Sequence, residues 1–123
     1  MANAPSRGNR VFKTKWFSRE ARKALLSDRE LCSAIGQGML GQAVDLGGGV
    51  FKKRLGQNEY RSILVAKNGR YWVYVYLFAK KDRANISNRE LVSFRALADL
   101  YSGKKDADIA MELQWGELTE ICQ

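Results

Sequence analysis

The chain contains no histidine, and this absence restricts both metal binding and acid–base chemistry. Its two cysteines, Cys32 and Cys122, do not have the spacing of metal ligands, and a zinc site without histidine would need cysteines and carboxylates alone. We therefore predict no metal and no cofactor. General acid–base catalysis by an imidazole, the side chain best suited to neutral pH, is excluded outright.

The chain also lacks a long hydrophobic run. No stretch approaches the ~18 apolar residues of a membrane-spanning helix, and the N-terminus has no apolar signal segment. Two cysteines do not indicate a disulfide framework. These absences predict a protein of the reducing cytoplasm with no membrane partner.

Proline is nearly absent, because the single proline lies within residues 1–9. Those residues are polar and rich in small side chains, and we predict a disordered N-terminal arm there. Residues 10–123 are expected to form a single domain, since 123 residues with 46% hydrophobic and 28% charged side chains are ordinary for one globular unit.

Positive charge is in excess and is clustered. The net charge is +8, and the surplus lies in residues 1–26 and 50–83, whereas residues 84–123 are acidic. Clustered cations attract polyanions, so the pattern favours a nucleic-acid partner over mere solubility. The alternative is a solvated basic face with no specific ligand.

Periodicity and turn signals predict a mixture of strands and helices. Helix starts are indicated by two capping-box patterns, Ser27 with Glu30 and Ser87 with Glu90. Gly47-Gly48-Gly49 is interpreted as a turn with a bulge rather than a phosphate cradle, because no helix follows it. The predicted strands are residues 10–14, 50–55, 60–67, 70–78 and 118–122, and the predicted helices are residues 15–26, 27–41, 87–101 and 106–114.

Two hairpins determine which side chains share a face. Asn68-Gly69 predicts a two-residue type I′ turn, which would pair Ile63 with Tyr74 and Arg61 with Tyr76. A hairpin across residues 56–59 would place Arg54 opposite Arg61. One face of the sheet should then pack against the helices, and the other should carry a cationic and aromatic surface. The residues predicted on this open face are Lys52, Arg54, Arg61, Tyr74 and Tyr76.

Directly opposed arginines repel each other, so a fold that keeps them together is expected to hold an anion there. Lys53 is expected at the edge of the sheet. The alternative is that these charges only protect an edge strand from aggregation.

The motifs DLGGGVFKKR (residues 45–54) and EYRSILVAKNGRYWVYVYLFAKKDRANIS (residues 59–87) resemble the RelE/ParE superfamily of bacterial toxins, in particular its RelE-like branch. The resemblance implies an α+β fold in which N-terminal helices pack on a small twisted antiparallel sheet, with a C-terminal helix and an edge strand. It also implies cleavage of mRNA on the ribosome and inhibition by an antitoxin, which we expect to carry a helix-turn-helix domain.

The basic catalytic positions of the family correspond to Lys52, Arg54, Arg61 and Lys81. Lys81 stands where well-studied members have arginine, and Ser87 stands where they have a tyrosine. RNA cleavage by internal attack requires a base for the 2′-hydroxyl, stabilisation of the phosphorane and protonation of the leaving oxygen. Like-charge repulsion favours loss of a proton from Lys52, the candidate base, and Arg54 and Arg61 suit the phosphorane.

Lys81 is the candidate that assists the leaving group. Tyr74 and Tyr76 are interpreted as base-stacking residues or, equally, as ordinary residues of a sheet. The remaining candidates for RNA contact are Lys53, Lys80, Arg83 and Asn85. Two other functions stay open: a non-cleaving toxin that blocks its target, as gyrase-poisoning ParE-like toxins do, and a general RNA-binding module.

Overall fold

A computed structural model describes residues 10–36 and 43–123 of the protein. The predicted N-terminal arm and the predicted end of the second helix near Gly41 lie outside the described residues. In chain order the elements are β1 (Arg10–Thr14), α1 (Lys15–Lys23), α2 (Asp28–Gly36), β2 (Val44–Gly47), β3 (Val50–Leu55), β4 (Tyr60–Val65), β5 (Tyr71–Ala79), α3 (Asn88–Ser102), α4 (Asp106–Trp115) and β6 (Leu118–Ile121).

The strands form one six-stranded sheet in the order β2-β3-β4-β5-β1-β6. The predicted α+β class is confirmed, and so is the C-terminal edge strand, because β6 pairs antiparallel with β1 at the edge. The sheet is mixed rather than wholly antiparallel, since β1 runs parallel to β5. Strand β2 was not predicted, because it has only four residues and ends within the Gly47-Gly48-Gly49 turn.

Helices cover both faces of the sheet. Helices α1 and α2 cover what we call the N-terminal face, where Phe17 and Leu31 pack against Leu64. Helices α3 and α4 cover what we call the C-terminal face, where Ala98 and Ile109 are buried. The prediction that one face stays open is therefore wrong, and the cationic residues must share the C-terminal face with two helices.

The predicted β3–β4 hairpin is confirmed, and Arg54 lies opposite Arg61. Its turn, residues 56–59, is tight: Gly56, Gln57 and Asn58 all have positive φ. Such φ values suit Gly and are tolerated by Asn, which is why the sequence indicated this turn correctly.

The predicted β4–β5 register is wrong. Strand β4 ends at Val65 and β5 begins at Tyr71, so the connection is longer than two residues. A type I′ turn needs positive φ at both central residues, but only Gly69 has it and Asn68 does not. The Asn68 side chain instead donates a hydrogen bond of 3.0 Å to the carbonyl of Ser102, at the end of α3. Tertiary contact thus overrides the local turn preference.

A bulge in β5 shifts the pairing of β4 with β5 further. Ile63 pairs with Tyr76 while Leu64 pairs with Tyr74, which leaves Val75 as the extra residue. Tyr74 and Tyr76 therefore point to opposite faces instead of sharing one. Tyr74 is fully buried on the N-terminal face, where its hydroxyl donates to the carbonyl of Leu31 at 2.7 Å, and burial raises its pKa. Its predicted position on the cationic face is wrong.

The three glycines before β3 form a turn with a bulge, as expected. All have positive φ, and a Cβ on Gly48 would lie 2.7 Å from Cγ of Arg95. The Arg95 guanidinium donates to the carbonyls of Leu46 and Gly47. The carbonyls of the turn therefore hold a cation from α3, which agrees with a structural turn.

Cys32 and Cys122 form a disulfide that links α2 to the residue after β6. The sequence-based expectation of two unconnected thiols is wrong. Their separation of 90 residues gave no local signal, because the pairing depends on α2 packing beside the sheet edge that β6 forms. A cross-link across so long a loop restricts the unfolded chain strongly.

Replacing Cys122 with serine should lower the free energy of unfolding by about 2–5 kcal/mol under non-reducing conditions, because the loop constraint on the unfolded chain is lost. Urea unfolding followed by circular dichroism measures this. A reducing agent should destabilise the wild type by a similar amount and leave the Cys122→Ser variant unchanged. Equal stability of the wild type with and without reductant would contradict the assignment of the bond.

Candidate nucleic-acid interface

Strand pairing places the predicted cations in two short rows across the C-terminal face. Lys52 pairs with Ile63, which pairs with Tyr76 on β5. In the next row, Arg54 pairs with Arg61, which pairs with Phe78. Directly paired residues point to the same face, so each row starts at a cation on β3 and ends at an aromatic ring on β5. We call Lys52, Arg54 and Arg61 the cationic cluster.

The cationic cluster keeps its charge unneutralised within the described structure. None of its members forms an ion pair with a described residue, although the arginines of the second row oppose each other directly. Arg54 is exposed, whereas Lys52 and Arg61 are half-buried. Arg61 is oriented by its own turn, because its guanidinium donates to the carbonyls of Asn58 and Tyr60 at 3.0 and 3.2 Å. The cluster thus offers positive charge on a pre-oriented framework.

Lys80 and Lys81 lie at the same end of the sheet as the second row. They follow Ala79, the last residue of β5, and the backbone amide of Lys80 donates to the carbonyl of Glu59 at 2.9 Å. Both side chains are exposed. The structure therefore brings Lys81 to the sheet end that carries Arg54 and Arg61, as the predicted site requires.

The segment between β5 and α3 crosses beside the first row. Nζ of Lys52 donates to Oδ1 of Asn85 at 3.3 Å, and the same oxygen accepts the amide of Ile86 at 2.9 Å. Asn85, predicted as an RNA contact, is thus adjacent to the candidate base and helps to fix its position.

Arg83 is already engaged by the protein. Its guanidinium forms two hydrogen bonds with the carboxylate of Glu90, at 2.6 and 3.1 Å, and also donates to the Tyr76 hydroxyl at 3.2 Å. The predicted contact of Arg83 with RNA stays a prediction. In the free protein its charge is offset by Glu90, so it supports the site rather than adding an unpaired cation.

Ser87, which stands where the resemblance implies a tyrosine, stabilises the start of a helix. It is the N-cap of α3, and both bonds of the predicted capping box with Glu90 are present. Glu90 therefore ties the start of α3 to Arg83. These contacts, led by the Arg83 hydrogen bond, lower the pKa of Glu90 to about 2.

Lys53 does not lie at the sheet edge, because β2 pairs outside β3. Its side chain points to the N-terminal face and is 4% exposed, and burial lowers its pKa. Its expected position is wrong: alternation along β3 puts it on the opposite face from Lys52 and Arg54. Lys53 and Tyr74 are thus the two predicted RNA contacts that the structure removes from the surface of the cluster.

Sequence reasoning missed two contributors to this region. Trp16 of α1 stacks on Tyr76 with ring centroids 5.1 Å apart, a contact that the helix-like spacing of Trp16 did not indicate. Glu90 was recognised as a capping residue but not as the partner of Arg83. The spacing of Arg83 and Glu90, seven residues across a loop, carries no local signal for an ion pair.

Within the described ranges, no group of three or more His, Cys, Asp or Glu side chains is placed to hold a metal ion. Those same ranges contain no helix that is long and apolar enough to cross a membrane.

Comparison with known protein families agrees with the geometry. Residues 9–121 match the family described as the RelE toxin of the RelE/RelB toxin–antitoxin system. The chain belongs to the RelE toxin family. Membership makes it a toxin of a type II toxin–antitoxin system, a class whose members pair with a cognate antitoxin. A search of curated proteins found no match.

The Arg83–Glu90 pair should make the stability of this RelE-family protein sensitive to acid. The folded-state pKa of Glu90 is lower than its ordinary value of 4.5, so its stabilising effect is present above pH 4.5 and is lost as pH falls towards 2. Replacing Glu90 with glutamine should remove this part of the pH dependence. Urea unfolding at several pH values in that interval measures it, and an unchanged slope in Glu90→Gln would contradict the pairing.

Proposed function

We propose that the protein is a ribosome-dependent endoribonuclease that cleaves translated mRNA. The observation that supports this most is the convergence of Lys52, Arg54 and Arg61 on one face of the β3–β4 hairpin, without ion pairs to described residues. Like charges held together cost free energy, and an RNA phosphate would offset that cost. A cluster used only for solubility would not need to be convergent.

The cluster suits the charge that develops during cleavage. Attack of a 2′-hydroxyl on the adjacent phosphate creates a phosphorane with additional negative charge, and fixed cations stabilise it more than they stabilise the substrate. Arg54 and Arg61 are assigned to this task, because a planar guanidinium donates to two phosphate oxygens at once. Arg61 is the better oriented of the two, since its turn carbonyls hold it.

Proton transfer must proceed without histidine. We assign removal of the 2′-hydroxyl proton to Lys52, whose position is fixed by Asn85 at 3.3 Å. Lys81 is assigned to the leaving 5′-oxygen, because it is exposed at the same end of the sheet as Arg54 and Arg61. Ser87 is assigned no proton transfer in this scheme, and its hydroxyl caps α3 by accepting the amide of Glu90.

The partners follow from this activity. The target is mRNA on the ribosome in the cytoplasm, and the antitoxin is proposed to carry a helix-turn-helix domain. Among the alternatives, a toxin that blocks its target without cleavage would not depend on transition-state stabilisation, and this separates the two experimentally.

Replacing Arg61 with alanine should reduce the rate of mRNA cleavage on programmed ribosomes by about 10²- to 10³-fold, because a donor aimed at the phosphorane is removed. Arg22→Ala is the matched control: it removes an exposed arginine of α1 that lies outside both rows and should cleave normally. Circular dichroism should show both variants folded. Cleavage by Arg61→Ala at the wild-type rate would contradict the assignment of the site.

Replacing Lys52 with arginine separates charge from proton transfer. Arginine keeps the positive charge but does not give up a proton at neutral pH, so the cleavage rate should fall by about 10²- to 10⁴-fold while affinity for ribosome-bound mRNA changes little. Single-turnover cleavage and equilibrium binding measure the two effects. A variant that cleaves as fast as the wild type would show that Lys52 acts through charge alone.

A further inference from the structure

An aromatic groove lies between α1 and the end of β5, one strand away from the cationic cluster, and its aromatic side chains have no role in the scheme above. The groove has a volume of about 520 Å³, and Trp16, Tyr60 and Tyr76 line it together with Lys23 and Lys81. We propose that this groove binds one base of the RNA, next to the phosphate held by the cationic cluster. The inference rests on the proposed function for its substrate and assigns a base-binding task to Trp16.

The rings form a preformed platform. The indole of Trp16 and the phenol of Tyr76 are nearly parallel, 15° apart, with centroids separated by 5.1 Å. Tyr76 is held from other sides by Phe78 and Phe94, at centroid distances of 6.0 and 5.7 Å. Trp16 nevertheless remains 37% exposed. A rigid, partly exposed aromatic pair is the arrangement on which single-stranded bases stack.

The position of the groove agrees with that use. Trp16 extends the first row, which then runs Lys52, Ile63, Tyr76 and Trp16. Neighbouring strands are about 4.8 Å apart, so the backbones at Lys52 and Tyr76 are separated by about 10 Å. A nucleotide whose phosphate contacts the cationic cluster can therefore place a neighbouring base against the platform.

Charge favours RNA over an apolar segment of a protein partner. Glu20 at the groove is paired with Lys23 at 3.4 Å, whereas Lys81 forms no ion pair with any described residue. Asp82, the other carboxylate of the lining, is exposed to solvent. An apolar peptide would bury these charges without compensation, while a nucleotide stacks its base on the rings and presents its phosphate to Lys81.

A double-mutant cycle tests the proposal. Ribosomes are programmed with mRNA that carries 2′-O-methyl groups around the target codon, so that binding is measured without cleavage, and single abasic nucleotides are placed in turn on either side of the target phosphate. Trp16→Ala should weaken toxin binding about 5- to 150-fold, the loss reported by alanine substitution at a stacked base. One abasic position should weaken wild-type binding similarly but have no further effect on Trp16→Ala.

The controls separate folding, position and partner. Trp16→Phe keeps a ring and should retain most of the affinity, while Trp115→Ala removes a tryptophan of α4 that is 63% exposed and should have no effect. Additive losses at every abasic position would overturn the proposal, as would a Trp16→Ala variant that binds mRNA normally but binds antitoxin poorly. A wild-type protein that binds with the expected coupling but does not cleave unmodified mRNA would overturn the proposed function and support the base site.

Discussion

The pairing of β3, β4 and β5, with its bulge at Val75, is the constraint on which the rest of the structure depends. One extra residue in β5 reverses the orientation of everything after it. Tyr74 is thereby directed into the core beneath α2, and Tyr76 is directed to the face that carries Lys52, Arg54 and Arg61. Without the bulge, Tyr76 would follow Tyr74 onto the N-terminal face. Bulges beside functional sites often redirect a side chain in this way.

The charges are arranged by the same constraint. Arg83 and Glu90 neutralise each other at the start of α3, and their contacts to Tyr76 and Ser87 hold the segment that carries Asn85. The cationic cluster, by contrast, is left uncompensated within the described structure. The carboxylate of Glu90 therefore holds the segment before α3 in place, and the convergent cations stay available for a phosphate. This division is the physical basis of the proposed nuclease site.

The elements that sequence alone predicted well are those with local signals. The Ser87–Glu90 capping box and the Gly-Gln-Asn turn after β3 both depend on neighbouring residues, and the structure confirms them. The opposition of Arg54 and Arg61 followed from that turn. The predicted β4–β5 register is wrong because the Asn68 side chain is bound to the end of α3 rather than to its own turn. The disulfide was not predicted because 90 residues separate its cysteines. Trp16 was missed because helical spacing cannot show which aromatic ring a side chain will meet across the fold.

The central claim, cleavage of translated mRNA by the cationic cluster, is tested most directly by mapping mRNA 5′ ends after brief induction of the protein in growing bacterial cells. The account predicts new 5′ ends inside translated codons of many messages, appearing as translation stops. Growth arrest with no new 5′ ends, and with damaged DNA instead, would contradict it.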